Sequence, residues 1–204
     1  MSILHHDEKE LWRQLERLPN RLRVAFAAAC AQRQVANYVR FSTATGQGNP
    51  NILIGALSRL WDVLQGDPTT TRQLQQQLDS CMSLLPDPEQ DALGGLAYYA
   101  EDAVSSAAYA LGAWIKSDIQ QAVWAARRAY NALDEYVGAM NPVGPFDQME
   151  EDRIRLHSLL QAELRRQQVD VAQLLKIAGG SITEREGVAE LRHRAQNDAR
   201  VFFG

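Results

Sequence analysis

Two amphipathic helix patterns flank the segment TGQGNP, which carries the signals to stop one helix and start the next. Gly46 is placed to close the first pattern, because glycine adopts the left-handed backbone that ends helices at little cost. Asn49 is placed to cap the second, with Pro50 in its first turn, where the missing N–H is not needed. Upstream the apolar positions are Val24, Ala27, Ala28, Ala31, Val35 and Tyr38; downstream they are Leu53, Leu57, Leu60 and Leu64, with Trp61 beside them. Both series follow the three-and-four spacing of a helix face. A chain with this hinge is committed to packing one long helix against another.

The rest of the sequence repeats that theme. No segment alternates apolar and polar residues as a strand does, and no Asn-Gly or Asp-Gly turn joins two β-branched runs. Helices are expected over residues 7–17, 19–45, 50–65, 70–85, 89–116 with Leu93 on its stripe, 117–140, 147–178 with a break near Gln167, and from 183 through Phe202, whose buried positions are Val188, Leu191, Ala195, Ala199 and Phe202. The seventh has Met149, Leu156, Leu160, Leu164, Val171 and Leu175 as its stripe. Ser117 is expected to cap the sixth helix, and Thr183 with Glu186 to form a capping box for the last. Residues 89–116 are apolar nearly all round, so this helix is expected at the centre, with Val104 and Leu111 in its core. The fold class is therefore all-α: a single bundle of about seven or eight helices around a buried central helix, spanning residues 1–204 as one domain.

Composition limits function. The 25 acidic and 21 basic residues leave a net charge of −4, which gives a nucleic-acid backbone no general reason to bind. No run of about 18 apolar residues exists to span a membrane. The two cysteines, Cys30 and Cys81, read as small buried hydrophobes rather than as a disulfide pair. The first twelve residues do not form a cationic-then-apolar leader, which points to the cytoplasm.

Several groups could carry chemistry. Tyr98, Asp102, Ser105, Ser106 and Tyr109 share a face of the central helix. A carboxylate there is either a ligand or base in a pocket, or a structural anchor bound to tyrosines or a neighbouring arginine. Arg33, Asn37 and Tyr38, with Phe41, could hold a carboxylate ligand or a partner helix; an internal salt bridge serves the same residues equally well. Gly46-Gln47-Gly48 could cradle an anion, but the lysine and strand of a phosphate loop are missing. Glu190 and His193 form the single Glu-x-x-His, too little for a di-iron site, so no metal and no cofactor is expected. Cys30 with His157 is a weak nucleophile pair, because a thiol among alanines has a raised pKa. No catalytic residue is assigned. Trp124 and Tyr136 lie off the main stripe of the sixth helix; a homodimer burying one or the other is expected, the alternative being that the seventh or eighth helix covers them within the monomer.

The segments LERLPNRLRVAFAAACAQR, NYVRF, TGQGNP, Leu57 to Trp61, AYYAEDAVSSAAYAL, Asn141-Pro142, and LHSLL with AEL after it resemble the YjaG-like family of bacterial proteins. The resemblance covers about residues 11–200. It implies an all-α, cytoplasmic bacterial protein and supplies no activity, because that family's function is unknown. The expectation that remains is a non-enzymatic helical module that binds itself or another protein. The alternative is a small-molecule-binding protein or enzyme with a pocket around Asp102.

Overall fold

The computed structural model describes residues 3–86, 95–140 and 148–201. Among these residues the chain forms α1 (Glu8–Glu16), α2 (Asn20–Thr45), α3 (Pro50–Leu64), α4 (Thr71–Met82), α5 (Leu96–Lys116), α6 (Ile119–Met140), α7 (Gln148–Leu156), α8 (Ser158–Ala178) and α9 (Glu184–Val201), and no strand. None of the described helices is long and apolar enough to cross a membrane. The expected NPVGP turn, the start of the fifth helix with Leu93, and Phe202 fall outside the described residues.

The helix ends follow local side-chain chemistry. Asp7 Oδ1 accepts from the Lys9 and Glu10 amides, capping α1. Gly46, at φ 70°, closes α2 with its N–H on the Ser42 carbonyl, and Asn49 Oδ1 accepts from the Asn51 amide to open α3. Thr70 and Gln73 form a capping box on α4 that the sequence reading did not anticipate.

Three boundaries differ from expectation, the first being α4, which ends at Met82 with Ser83 as its cap rather than at residue 85. Ser117 does not cap α6: it takes a left-handed backbone (φ 53°) to close α5, and Asp118 Oδ1 accepts from the Gln120 amide instead. The long seventh helix breaks at His157, not at Gln167. His157 is extended and its Nδ1 accepts from the Leu159 amide, starting α8. Gln167 stays helical because its side-chain amide donates inward, to Glu163 Oε1 and to the Ala126 carbonyl.

The centre is shared by two helices rather than held by one. α5 packs against α2, α3, α4 and α6, and α2 packs against α3, α5, α6, α8 and α9. Residues 24–31 of α2 are buried on every side. Five of these eight are alanine and one is cysteine, small enough for neighbouring helices to close in all round. Val104 and Leu111 are fully buried, as expected. Leu156 and Met140, expected on buried stripes, are about half exposed because each is the last residue of its helix. α5 and α6 approach closely. Ser106 Oγ donates to the Ala125 carbonyl at 3.0 Å, and a Cβ on Gly112 would lie 2.5 Å from Gln121 Oε1. A smaller cluster of Leu133, Val137 and Leu160, flanked by Tyr130, Ile154 and Leu159, ties α6 to α7 and α8.

Candidate functional site

Asp102 is buried at the α5–α6 contact, and Arg128 Nη1 of α6 donates to its Oδ1 at 2.8 Å. The anchoring partner is thus the arginine of a neighbouring helix. The same Nη1 lies 3.5 Å from Glu101 Oε1. Burial raises the Asp102 pKa to about 7; Glu135 and Glu101 push the same way, and Arg128 pulls against them. Glu135 is also raised, through its own burial and the charges of Asp134 and Glu101. Tyr109 shares Arg128 with Asp102 through a side-chain hydrogen bond, and the other members of the set scatter. Tyr98 is half exposed, Ser105 is half-buried, Ser106 is spent on the Ala125 carbonyl, and Tyr109 stacks obliquely on Trp124 at 5.3 Å. A buried, protonatable carboxyl beside a guanidinium can exchange a proton near neutral pH.

Arg33 is consumed inside the protein. Its Nε donates to Glu163 Oε2 at 3.0 Å and its Nη2 to Glu163 Oε1 at 2.9 Å, a two-pronged pairing. Nη1 donates to Asp170 Oδ2 at 2.8 Å, and Arg194 of α9 donates to Asp170 Oδ1 at 2.7 Å. All three of Arg33, Glu163 and Asp170 are at most 1% exposed. The two carboxylates hold the guanidinium proton more tightly than usual, although burial alone would loosen it. Asn37 donates to Gln34 Oε1 at 2.7 Å, and Tyr38 Oη donates to the Leu84 carbonyl at 3.2 Å. The Phe41 ring is buried 5.9 Å from that of Tyr38.

Tyr38 also accounts for the TGQGNP segment. Its hydroxyl lies directly under Gly48 (φ 68°), where any Cβ would overlap it. Trp124 and Tyr136 are half-buried against tyrosines of α5; Tyr136 meets Tyr99 edge-on at 6.0 Å. The Cys30 thiol is pushed far up by burial and accepts from Arg33 Nη2, while His157 caps α8. His193 is exposed and pairs with Asn197. Among the described residues no three His, Cys, Asp or Glu side chains gather as a metal site would need.

The N-terminal segment before α1 carries no helix signal in the sequence. Residues 3–7 run across α8 and α6 and, with α1, border a cleft of about 80 Å³ lined by His5, His6, Asp7, Glu10, Leu164 and Gln167, among others. On the other side of α1 lies an open trough of about 350 Å³, lined by Trp12, Val123, Gln120, Glu8, Lys9 and Arg13. Arg127 of α6 clasps Glu8 at the edge of this trough. One sequence signal was available: Lys9, Trp12, Arg13 and Glu16 share a face of α1 by their spacing.

A family model described as a protein of unknown function, DUF416, matches residues 10–200. No curated protein matches the chain. Among solved structures, the chain is similar to a DUF416 family protein from Shewanella baltica OS155, at 24% identity and a TM-score of 0.78, over 91% of this chain and 93% of that one. At that identity the likeness speaks for the fold.

Proposed function

The chain belongs to the DUF416 family of unknown function, and we propose that it is a non-enzymatic helical module that binds protein, its first partner being a second copy of itself. The observation that carries this reading is the exposed stripe of α1 beside the trough. Lys9, Arg13 and Glu16 are exposed and Trp12 is half-buried. An antiparallel copy of α1, with the two-fold axis between Trp12 and Arg13, sets Lys9 against Glu16 and Trp12 against Arg13 of the other copy. Both ion pairs and both cation–π contacts then form at once. An aromatic anchor within a mixed-charge rim is the anatomy of an interaction hot spot. Trp124 and Tyr136, the aromatics of α6 expected at a dimer surface, lie outside the trough lining and pack on Tyr109 and Tyr99.

Light scattering at micromolar concentration tests this. A dimer is expected, lost in Lys9→Glu and regained in the double variant Lys9→Glu, Glu16→Lys. A monomer at that concentration, or a dimer indifferent to Lys9→Glu, refutes it. We also read the chain as YjaG-like within its family and as a bacterial cytoplasmic protein, as the sequence resemblance implies. A second reading, a ligand or enzyme site at Asp102, is supported by the raised pKa of that carboxyl and by its Arg128 partner.

A further inference from the structure

We propose that α6 and α8 form a seat for an extended peptide, filled in this chain by its own residues 3–7. The proposal rests on reading the chain as a protein-binding module and names a second, separate surface of it. Along residues 3–7 exposure alternates: Ile3, His5 and Asp7 face solvent, and Leu4 and His6 face inward. That is the period of a β-strand, yet no sheet is there to receive it. A side chain takes the place of the neighbouring strand. Gln161 Oε1 accepts from the Leu4 amide at 3.0 Å, and Gln161 Nε2 donates to the Leu4 carbonyl at 2.9 Å.

A carboxamide offers the same donor and acceptor as a peptide group, so Gln161 reads backbone and is indifferent to the side chain it pairs with. Gln161 is buried, and its amide is oriented by a further donation to the Arg155 carbonyl at 2.9 Å. Selectivity comes two residues later. The His6 ring lies flat on Tyr130 of α6, with centroids 4.7 Å apart and planes 15° from parallel. Burial holds His6 below the ordinary histidine range despite Glu8 beside it, so near neutral pH the stacked ring is uncharged. The seat therefore fits an extended segment of a partner protein that places a planar ring two residues after the backbone-paired position, with the residue between them facing water. Residues 3–7 are anchored at Asp7, which caps α1, so they can peel away from the Ile3 end while α1 stays in place.

Fluorescence anisotropy with a labelled peptide, Ile-Leu-His-His-Asp-Glu, tests the seat on the full chain. The wild type should bind it weakly, because the seat is filled. His6→Ala in the chain loosens the internal occupant without altering the seat, and should tighten peptide binding by about fivefold or more. Adding Gln161→Ala, or Gln161→Glu, which keeps the size but removes the donor, should abolish the gain. A peptide with alanine for its second histidine should also lose it. No tightening in His6→Ala, or binding that survives both Gln161 changes, overturns the proposal. Light scattering reads the α1 stripe alone and anisotropy reads the seat, so either proposal can fail without the other.

Discussion

Asp102 sits where burial and a guanidinium pull its proton in opposite directions, and burial wins, placing its pKa at about 7. The folded state then binds this proton more tightly than the unfolded chain does. Its contribution to stability is complete below the unfolded value of about 3.8 and is lost as pH rises through about 7. Urea unfolding of the wild type should therefore weaken between about pH 5 and pH 8 by on the order of 1–2 kcal/mol more than unfolding of Asp102→Asn. Identical pH dependence in the two proteins would remove Asp102 as a titrating group. Arg33 shows why single-residue reading stops short. Its helix face was plain in the sequence, but its partners stand 130 and 137 residues away. Spacing along one helix holds no information about which charge from another will meet it.

Elements were legible where a signal is local. The end of α2, the start of α3 and the cap at Thr183 all rest on residues within four of one another; the first two occur as expected, and of the expected Thr183–Glu186 box the Glu186 amide donates to Thr183 Oγ1 while the Glu186 carboxylate accepts from the same hydroxyl. The buried stripe of α8 was half legible. It runs Leu160, Glu163, Gln167, Asp170, Leu174 and Ile177, at steps of three and four. Of the expected stripe Leu160, Leu164 and Val171 are buried, but Leu175 is half-buried and Leu174 and Ile177 take the core in its place; the three polar members are residues that hydrophobic periodicity assigns to solvent. The break at His157 was missed because a histidine side chain is not a common helix cap. The α2–α3 connection offers a controlled test of the local argument. Gly46 and Gly48 share a positive φ, but a Cβ on Gly46 meets open space and one on Gly48 meets Tyr38. Gly46→Ala should cost about 1 kcal/mol from backbone strain, and Gly48→Ala about 2–4 kcal/mol from strain plus displacement of a buried ring. Equal urea midpoints for the two variants would show that Tyr38 is not wedged there.

At the scale of the whole molecule, one ionic network joins four helices. Arg33 of α2 meets Glu163 and Asp170 of α8, Arg194 of α9 shares Asp170, and Gln167 carries the chain of donors to the Ala126 carbonyl of α6. Arg33→Ala strands the buried Glu163 carboxylate, left with only the Gln167 amide, while Asp170 keeps Arg194, and should lower stability by about 3–5 kcal/mol. Native-state hydrogen exchange in that variant should show protection falling together along α8 and α9; a loss confined to α2 would mean that the network does not couple them.

The same network sets an order on folding. While Arg33 is in water its guanidinium is well solvated, and an approaching helix with one carboxylate does not replace that hydration. Favourable exchange begins only when Glu163 and Asp170 arrive on the same helix, in register, after the intervening chain has been drawn in. Partial docking of α8 and α9 thus gains little, and complete docking gains most. The native contacts therefore favour docking of α8 and α9 over α2 as one cooperative unit, and refolding of Arg33→Ala should lose that cooperativity.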